Sequence, residues 1–447
     1  MPPKKRKRET AFDIETLGPC RISSPLNRFD HPCSFVSEDD RILLNLYAED
    51  AINRVSDGIE PPSLEHAGPR RKIYFDSAKV KAAIVTCGGL CPGINSVIRA
   101  IVMELHYNYG VKNILGIKFG FEGFIPEYGH PVVELTPEAV TNIHGRGGSF
   151  LGMSRGAQEI GAIVDALERL NVSVLFAIGG DGTLKASHKI AQEITKRKLK
   201  TAIVGIPKTI DNDITLVSKT FGFDSAVEAA TDAIESAHNE ATSVHNGIGL
   251  VKVMGRYAGF VAAHATLALA DVNYCLIPEV PFDLEGPKGL LAKLEARLDR
   301  RGHAVVLTAE GAGQHLMGGD QAEKDASGNI SLKDIGLFLK DRITSHFKSV
   351  NKIVTLKYID PSYMVRSVAA SPVDRIFCGF LGQHAVHAGM AGKTGVLVSN
   401  WNSAFIHLPF SRCLARQKFV DPKGGLWSSV IEVTGQGTLR NLEEKVC

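Results

Sequence analysis

Three short turns hold the residues best suited to chemistry. The first, Cys87-Gly88-Gly89-Leu90-Cys91-Pro92-Gly93-Ile94-Asn95, follows an apolar run. Gly88 and Gly89 let backbone N–H groups approach a phosphate, and a helix opening near Gly93 aims its positive end there. The second, Ile178-Gly179-Gly180-Asp181-Gly182-Thr183, sets a carboxylate among glycines. That suits Mg²⁺, which prefers one or two carboxylates plus phosphate oxygens, and Gly182 and Thr183 can donate N–H groups from the start of the next helix. The third, Pro207-Lys208-Thr209-Ile210-Asp211-Asn212-Asp213, places two carboxylates beside a lysine and a threonine. A carboxylate at such a turn can take the proton of an attacking hydroxyl. Each turn also has a plainer explanation: a tight strand-to-helix connection, a glycine turn with an Asp cap, or an Asx-type turn. Gly392-Lys393-Thr394 does not complete a Walker A loop, because His387 stands where its first glycine belongs.

The elements that must position these turns follow from periodicity. Short β-branched runs at 82–86, 172–178, 202–206, 248–254, 274–277 and 304–308 read as strands, several of them apolar on both faces as covered parallel strands are. Amphipathic helical segments alternate with them. Ser187, Ile190, Ala191 and Ile194 share one face, as do Val227, Ala230, Ile234 and Ala237, and Ser225 with Glu228 reads as a capping box opening the latter helix. Alternating strand and helix predicts a parallel α/β fold, and its length predicts two lobes. The predicted division is an N-terminal extension at 1–75, partly disordered with one short helix, a nucleotide lobe at 76–222, a second lobe at 223–410 with the chain returning to the first, and a C-terminal segment at 411–447.

Composition narrows the function classes. The 447 residues carry a net charge of only +3, so no chain-wide basic field points to nucleic acid. No apolar run is long enough to predict a membrane-spanning helix. The eight cysteines are scattered, and Cys87 and Cys91 have no second pair at zinc spacing, so reduced thiols are expected. The basic run at residues 4–8 reads as a solvated tail or a nuclear-import patch.

The motifs, taken in order, resemble the 6-phosphofructokinase family, in its plant and trypanosomatid form, which is similar in sequence to pyrophosphate-dependent enzymes yet uses ATP. The matching stretches are G-G-L-C-P-G-I-N-S-V-I-R (88–99), R-G-G-S-F-L-G-M-S-R-G (146–156), G-G-D-G-T (179–183), P-K-T-I-D-N-D (207–213), K-T-F-G-F-D-S-A-V (219–227), V-M-G-R-Y-A-G (253–259), A-E-G-A-G-Q (309–314), K-Y-I-D-P-S-Y-M-V-R (357–366) and A-V-H-A-G-M-A-G-K-T-G (385–395). G-G-D-G-T alone is shared with NAD and lipid kinases; its combination with P-K-T-I-D-N-D and M-G-R is specific.

The resemblance implies transfer of the ATP γ-phosphoryl group to the 1-hydroxyl of fructose 6-phosphate in an allosteric, cytoplasmic homotetramer, with a glycosomal location as in trypanosomatid relatives the alternative. It implies that the two lobes are Rossmann-like, with Asp211 as the base and Asp181 as the Mg²⁺ contact. Gly88, Arg155, Gly156, Gly180, Asp181, Gly182 and Thr183 are expected to line the ATP site. Thr209, Ile210, Asp211, Met254, Gly255, Arg256, Glu310, Tyr363, Met364, Val365 and Arg366 are expected to hold the sugar phosphate. Arg155 and Arg256 can neutralise the transferring group bidentately, and Asp213 is expected to orient the centre or the metal. Gly182 and Lys208 bear on donor choice. Relatives that use pyrophosphate carry Asp at the first position, where it would fill space and repel an α-phosphate, so Gly182 favours ATP. They share Lys at the second, which keeps pyrophosphate as the alternative donor. Two positions depart from bacterial relatives, which use arginines from a neighbouring subunit on the 6-phosphate: with Gly247 the first contact is missing or replaced, and Lys357 can still supply charge at the other as a point cation. Rival expectations are an NAD or lipid kinase and a non-enzymatic regulator on a kinase fold.

Overall fold

The computed structural model describes residues 10–28, 34–318 and 331–441. The basic run at 4–8, Cys33 and Cys447 lie outside them. Two compact units emerge. The first runs to Thr209 and adds Ile214–Gly222 and Ala369–Gln417; the second takes Ile210–Asp213, Phe223–Val368 and the described residues from Lys418 onward.

The first unit is built on a nine-stranded sheet in the order Arg41–Leu43, Ser63–His66, Ala404–Pro409, Val396–Trp401, Ala202–Pro207, Val174–Gly179, Lys81–Thr86, Asn113–Ile117, Val132–Glu134. Its five middle strands, from Val396–Trp401 to Asn113–Ile117, are mutually parallel; both flanks are antiparallel. Val174–Gly179 and Ala202–Pro207 are buried at every residue, as their unbroken apolar sequences require when helices cover both faces. Ser187, Ile190, Ala191 and Ile194 of helix Asp181–Lys196 are all buried on one face.

Residues 10–75 depart from the expected loose extension. A short helix does form, Ala48–Ser56, but Arg41–Leu43 and Ser63–His66 close one edge of the main sheet. Glu15–Thr16 pairs with Lys393–Thr394, and Ile22–Ser23 with Lys72–Ile73. A buried carboxylate anchors the arrangement. Glu65 accepts a hydrogen bond from His407 Nδ1 at 2.7 Å and pairs with Lys393 at 3.1 Å and Arg70 at 3.3 Å. Burial alone would raise its pKa, but His407, Lys393 and Arg70 together pull it down to about 2.

The second unit carries a parallel four-stranded sheet in the order Tyr274–Leu276, His303–Ala309, Gly247–Val253, Thr355–Ile359. Leu290, Leu294 and Leu298 of helix Leu290–Arg301 and Leu339, Ile343 and Phe347 of helix Ile335–Ser349 pack with strand residues Ile248, Leu250 and Val306. Helix Phe223–Thr242 lies close against strand Gly247–Val253: a Cβ on Gly247 would come 2.0 Å from the Ala241 carbonyl. This explains the departure at 247, because no arginine side chain fits there against that helix. The expected capping box is not formed. The helix begins at Phe223, which puts Ser225 inside its first turn and buried. The tail beyond 417 does not stand apart: Gln436 accepts from the Cys275 N–H at 2.7 Å, and Asn441 N–H donates to Asp283 at 2.7 Å.

Candidate active site

In the first unit the strands Lys81–Thr86, Val174–Gly179 and Ala202–Pro207 are neighbours in register, with Thr86 beside Ile178 and Pro207 beside Gly179. The three turns therefore leave from one edge, the carboxyl end of the sheet, where open α/β sheets bind ligands. Short bonds join them. Cys87 N–H donates to the Ile178 carbonyl at 3.0 Å, Lys208 N–H to the Gly179 carbonyl at 3.0 Å, and Lys208 Nζ to the Gly89 carbonyl at 2.6 Å. The buried Lys208 ammonium thus lies beneath the first turn. Burial pushes the Cys87 thiol up to about 12 despite that neighbouring cation, so it stays protonated and serves packing.

Gly88 has a φ of +89°, a left-handed conformation that favours glycine, and its N–H donates to the Ser154 carbonyl at 3.1 Å. Thr86 Oγ1 donates to the Gly152 carbonyl at 2.8 Å. These two bonds bring the loop carrying Arg155 and Gly156 beside the first turn, and both residues are exposed there. Asn95 braces the same loop, donating to the Arg146 carbonyl at 3.1 Å and accepting from Phe150 N–H at 2.7 Å.

Gly180 is the N-cap of helix Asp181–Lys196. The N–H groups of Asp181, Gly182 and Thr183 fall in its first turn, where no preceding helical carbonyl serves them. The Thr183 side chain folds back over Gly179, so its backbone N–H is what it can offer a phosphate. Asp181 is partly exposed and accepts from Lys185 Nζ at 2.6 Å. A Cβ added at Gly182 would meet nothing within 4 Å, and the residue has no left-handed φ, so the folded chain alone does not require glycine there. A row of first-turn donors, one accessible carboxylate and open space fit a polyphosphate with Mg²⁺. Among the described residues no three His, Cys, Asp or Glu side chains gather as a metal cage. Mg²⁺ held by one carboxylate and phosphate oxygens needs none.

The chain passes to the second unit after Thr209, within P-K-T-I-D-N-D itself. Ile210 is buried, so its side chain serves packing and only its backbone can face a ligand. Asn212 takes a φ of +52°, which Asn tolerates, and it turns the chain between Asp211 and Asp213. The Asp213 carbonyl accepts from Lys418 N–H at 2.9 Å. Lys418 is also drawn electrostatically to Asp213, but burial dominates and lowers its pKa to about 8.

Strands Gly247–Val253 and His303–Ala309 lie side by side and deliver Met254, Gly255 and Arg256 next to Glu310. Glu310 N–H donates to the Val253 carbonyl at 2.9 Å and Gly311 N–H to the Gly255 carbonyl at 3.0 Å. A Cβ on Gly311 would sit 1.9 Å from the Arg256 carbonyl, so only glycine permits this approach. Burial raises the Glu310 pKa, opposed by Arg256, Lys252 and Arg366. Arg366 lies over the Tyr363 ring at 4.6 Å on the short helix Ser362–Ser367, where Tyr363 and Met364 are exposed. One expected contact is placed differently. Val365 is fully buried and cannot present its side chain to a ligand. Lys357 is exposed and turned to Glu240 at 3.5 Å, on the opposite face of its strand from Tyr358.

Several positioning residues lie outside the residues that the motifs single out: Asn95 and Ser154 in the first unit, and Lys252, Asp334, Asp360 and Lys418 in the second. Asn95, Ser154 and Asp360 sit inside the quoted motifs and Lys252 just before one; of these only Lys252, a cation in an otherwise apolar strand, carries a signal of its own. Lys418 has none.

The phosphofructokinase family model matches residues 81–389. A curated protein of Borreliella burgdorferi named ATP-dependent 6-phosphofructokinase is 51% identical, over 95% of this chain and 96% of its own. ATP-dependent 6-phosphofructokinase 1 of Arabidopsis thaliana is 47% identical, over 92% of this chain and 86% of its own. Among solved structures, the pyrophosphate-dependent phosphofructokinase of Marinobacter aquaeolei superposes with a TM-score of 0.65 at 18% identity, covering 80% of this chain and 91% of that one. That likeness establishes the fold.

Proposed function

The chain belongs to the phosphofructokinase family, and from that membership we propose that it is an ATP-dependent 6-phosphofructokinase, converting ATP and fructose 6-phosphate to ADP and fructose 1,6-bisphosphate. The observation that carries this is the 51% identity, over nearly the whole of both chains, to a protein of that name.

The residues take the following roles. First-turn N–H groups of helix Asp181–Lys196 hold the polyphosphate, with Gly88, Arg155 and Gly156 lining the space beside them, the Gly88 N–H itself being spent on the Ser154 carbonyl. Asp181 holds Mg²⁺, which when bound neutralises charge on the phosphates. Glu310, Arg256, Tyr363 and Arg366 hold the sugar phosphate, joined by Thr209 and the backbone of Ile210 and Gly255. Asp211 accepts the proton of the 1-hydroxyl as that oxygen forms its bond to the γ-phosphorus and the bond to the ADP oxygen breaks. Arg155 and Arg256 compensate the charge spread over the transferring group, and Asp213, tied to Lys418, orients the turn.

Two observations favour ATP over pyrophosphate: the names of the sequence relatives, and the unfilled space at Gly182. A homotetramer and a cytoplasmic location belong to the same proposal. Among the described residues no helix is long and apolar enough to cross a membrane. The test is an assay of purified protein with fructose 6-phosphate and Mg²⁺, given either ATP or pyrophosphate. Fructose 1,6-bisphosphate formed with ATP is the expected result. Turnover with pyrophosphate alone would reverse the donor assignment.

A further inference from the structure

Lys252 lies in strand Gly247–Val253, two residues before Met254, and its side chain is only 11% exposed. A lysine this buried requires partners, and it has two. Its Nζ lies 2.9 Å from Asp334 Oδ2 and 2.9 Å from Asp360 Oδ2. Burial opposes its charge, yet the hydrogen bonds to these carboxylates raise its pKa, so the ammonium stays charged.

Each carboxylate uses its other oxygen to start an element. Asp334 Oδ1 accepts from Leu337 N–H at 3.1 Å and caps helix Ile335–Ser349. Asp360 Oδ1 accepts from Ser362 N–H at 3.1 Å and from the Ser362 hydroxyl, opening the short helix that carries Tyr363 and Arg366. Tyr358 packs into the same junction: its hydroxyl would be 2.3 Å from a Cβ on Gly336. One ammonium thus links the strand that delivers Arg256, the start of helix Ile335–Ser349 and the turn that delivers Arg366, while the backbone register of that strand with His303–Ala309 sets Glu310 beside Arg256.

We propose that Lys252 is a positioning residue of the hexose-phosphate half-site: by drawing Asp360 and Asp334 onto one ammonium, it fixes Arg366 relative to Arg256 and Glu310. The proposal rests on the phosphofructokinase function above. A purely structural lysine would, when replaced, lower stability or affect both substrates alike. A positioning lysine affects the sugar phosphate selectively.

The test uses the full chain with Lys252→Met, Lys252→Arg, Asp360→Asn and the Lys252→Met/Asp360→Asn double variant. Steady-state kinetics are measured for each substrate, with calorimetric binding of fructose 6-phosphate as a second readout. Losing one well-placed charged contact predicts a rise of about 10- to 100-fold in the KM and Kd for fructose 6-phosphate with Lys252→Met. The KM for ATP is expected to stay within about twofold, because among the described residues the nucleotide turns share no partner with Lys252 and independent sites perturb one another little. Lys252→Arg should recover part of the loss, Asp360→Asn should reproduce it, and the double variant should be no worse than the poorer single one. If Lys252→Met does not fold, Asp360→Asn, which leaves Lys252 paired with Asp334, carries the same test. An unchanged KM for fructose 6-phosphate in the folded variant, or an equal rise for both substrates, overturns the proposal while wild-type turnover stands. A wild type that neither binds nor phosphorylates fructose 6-phosphate overturns the function and this proposal with it.

Discussion

Replacing Gly182 with aspartate separates what the fold requires from what the phosphoryl donor requires. Position 182 is in the first turn of helix Asp181–Lys196, has no left-handed φ, and leaves an added Cβ nothing to meet within 4 Å. A carboxylate there suits the helix macrodipole by roughly 0.3–1 kcal/mol, so Gly182→Asp should melt no lower than the wild type. Its effect falls on the ligand. With a carboxylate about 5 Å from a singly charged α-phosphate and an effective dielectric of about 20, repulsion is roughly 332/(20 × 5), or about 3 kcal/mol. That is about 100-fold or more in affinity at low salt, and less as screening increases. The assay varies ATP at saturating fructose 6-phosphate, with a pyrophosphate series alongside and Gly182→Ala as the uncharged control. The expected outcome is an ATP KM raised by about two orders of magnitude, a much smaller rise for the alanine variant, and an unchanged fructose 6-phosphate KM. A folded Gly182→Asp enzyme with wild-type ATP affinity would show that the α-phosphate does not pass over this position, and the donor assignment would lose its structural support.

Other outcomes follow from the same geometry. Asp211→Asn should lower kcat by about 10²- to 10⁴-fold with both KM values little changed, the range expected on losing a general base; full turnover would assign the base elsewhere. Glu65→Gln should destabilise the first unit by about 3 kcal/mol at pH 7, because buried Lys393 and Arg70 lose the buried one of the two carboxylates they share and keep only the exposed Glu38, and denaturant unfolding measures this. With its folded pKa held at about 2, Glu65 contributes stability above its ordinary value of 4.5 that is lost as pH falls towards 2. The wild type and Glu65→Gln should therefore converge in stability near pH 2, and a constant gap would refute the linkage. Lys418→Met should raise thermal stability and lower kcat together. A folded pKa of about 8 against 10.5 means the unfolded chain binds more protons between those values, so the charge costs about 3 kcal/mol at neutral pH and that cost shrinks as pH rises from 8 towards 10.5. A less stable Lys418→Met with unchanged kcat would contradict both halves.

The three ligand turns are legible in the sequence because the strands before them are buried on both faces. Runs such as Val174–Gly179 and Ala202–Pro207 leave little choice of structure, and the glycines after them mark where the chain turns. Half-exposed strands are harder to see. Ser63–His66 contains a serine, a glutamate and a histidine and reads as loop, yet Leu64 and Glu65 are buried. The burial of Glu65 depends on Lys393 and His407, more than 300 positions away, and no local pattern announces such partners. Thr355–Ile359 hides for a related reason: its residues are mostly half-exposed at a sheet edge, so the apolar signal is weak. Gly247 shows the reverse case. Sequence comparison registers a missing arginine, and the Ala241 carbonyl 2.0 Å from any Cβ supplies the cause.

Motif content and structural need are distributed differently along this chain. The family model ends at residue 389, but strands Val396–Trp401 and Ala404–Pro409 extend the main sheet and receive Ser63–His66. Lys418, later still, meets Asp213 in the same turn as Asp211. Residues at the ligand turns are held to narrow choices by backbone geometry and by the phosphates they meet. The supporting segments need only supply a strand edge or one cation in the right place, which many sequences can do. A catalytic turn can therefore be read from a few residues, while the groups that hold it still are visible only when the chain is folded.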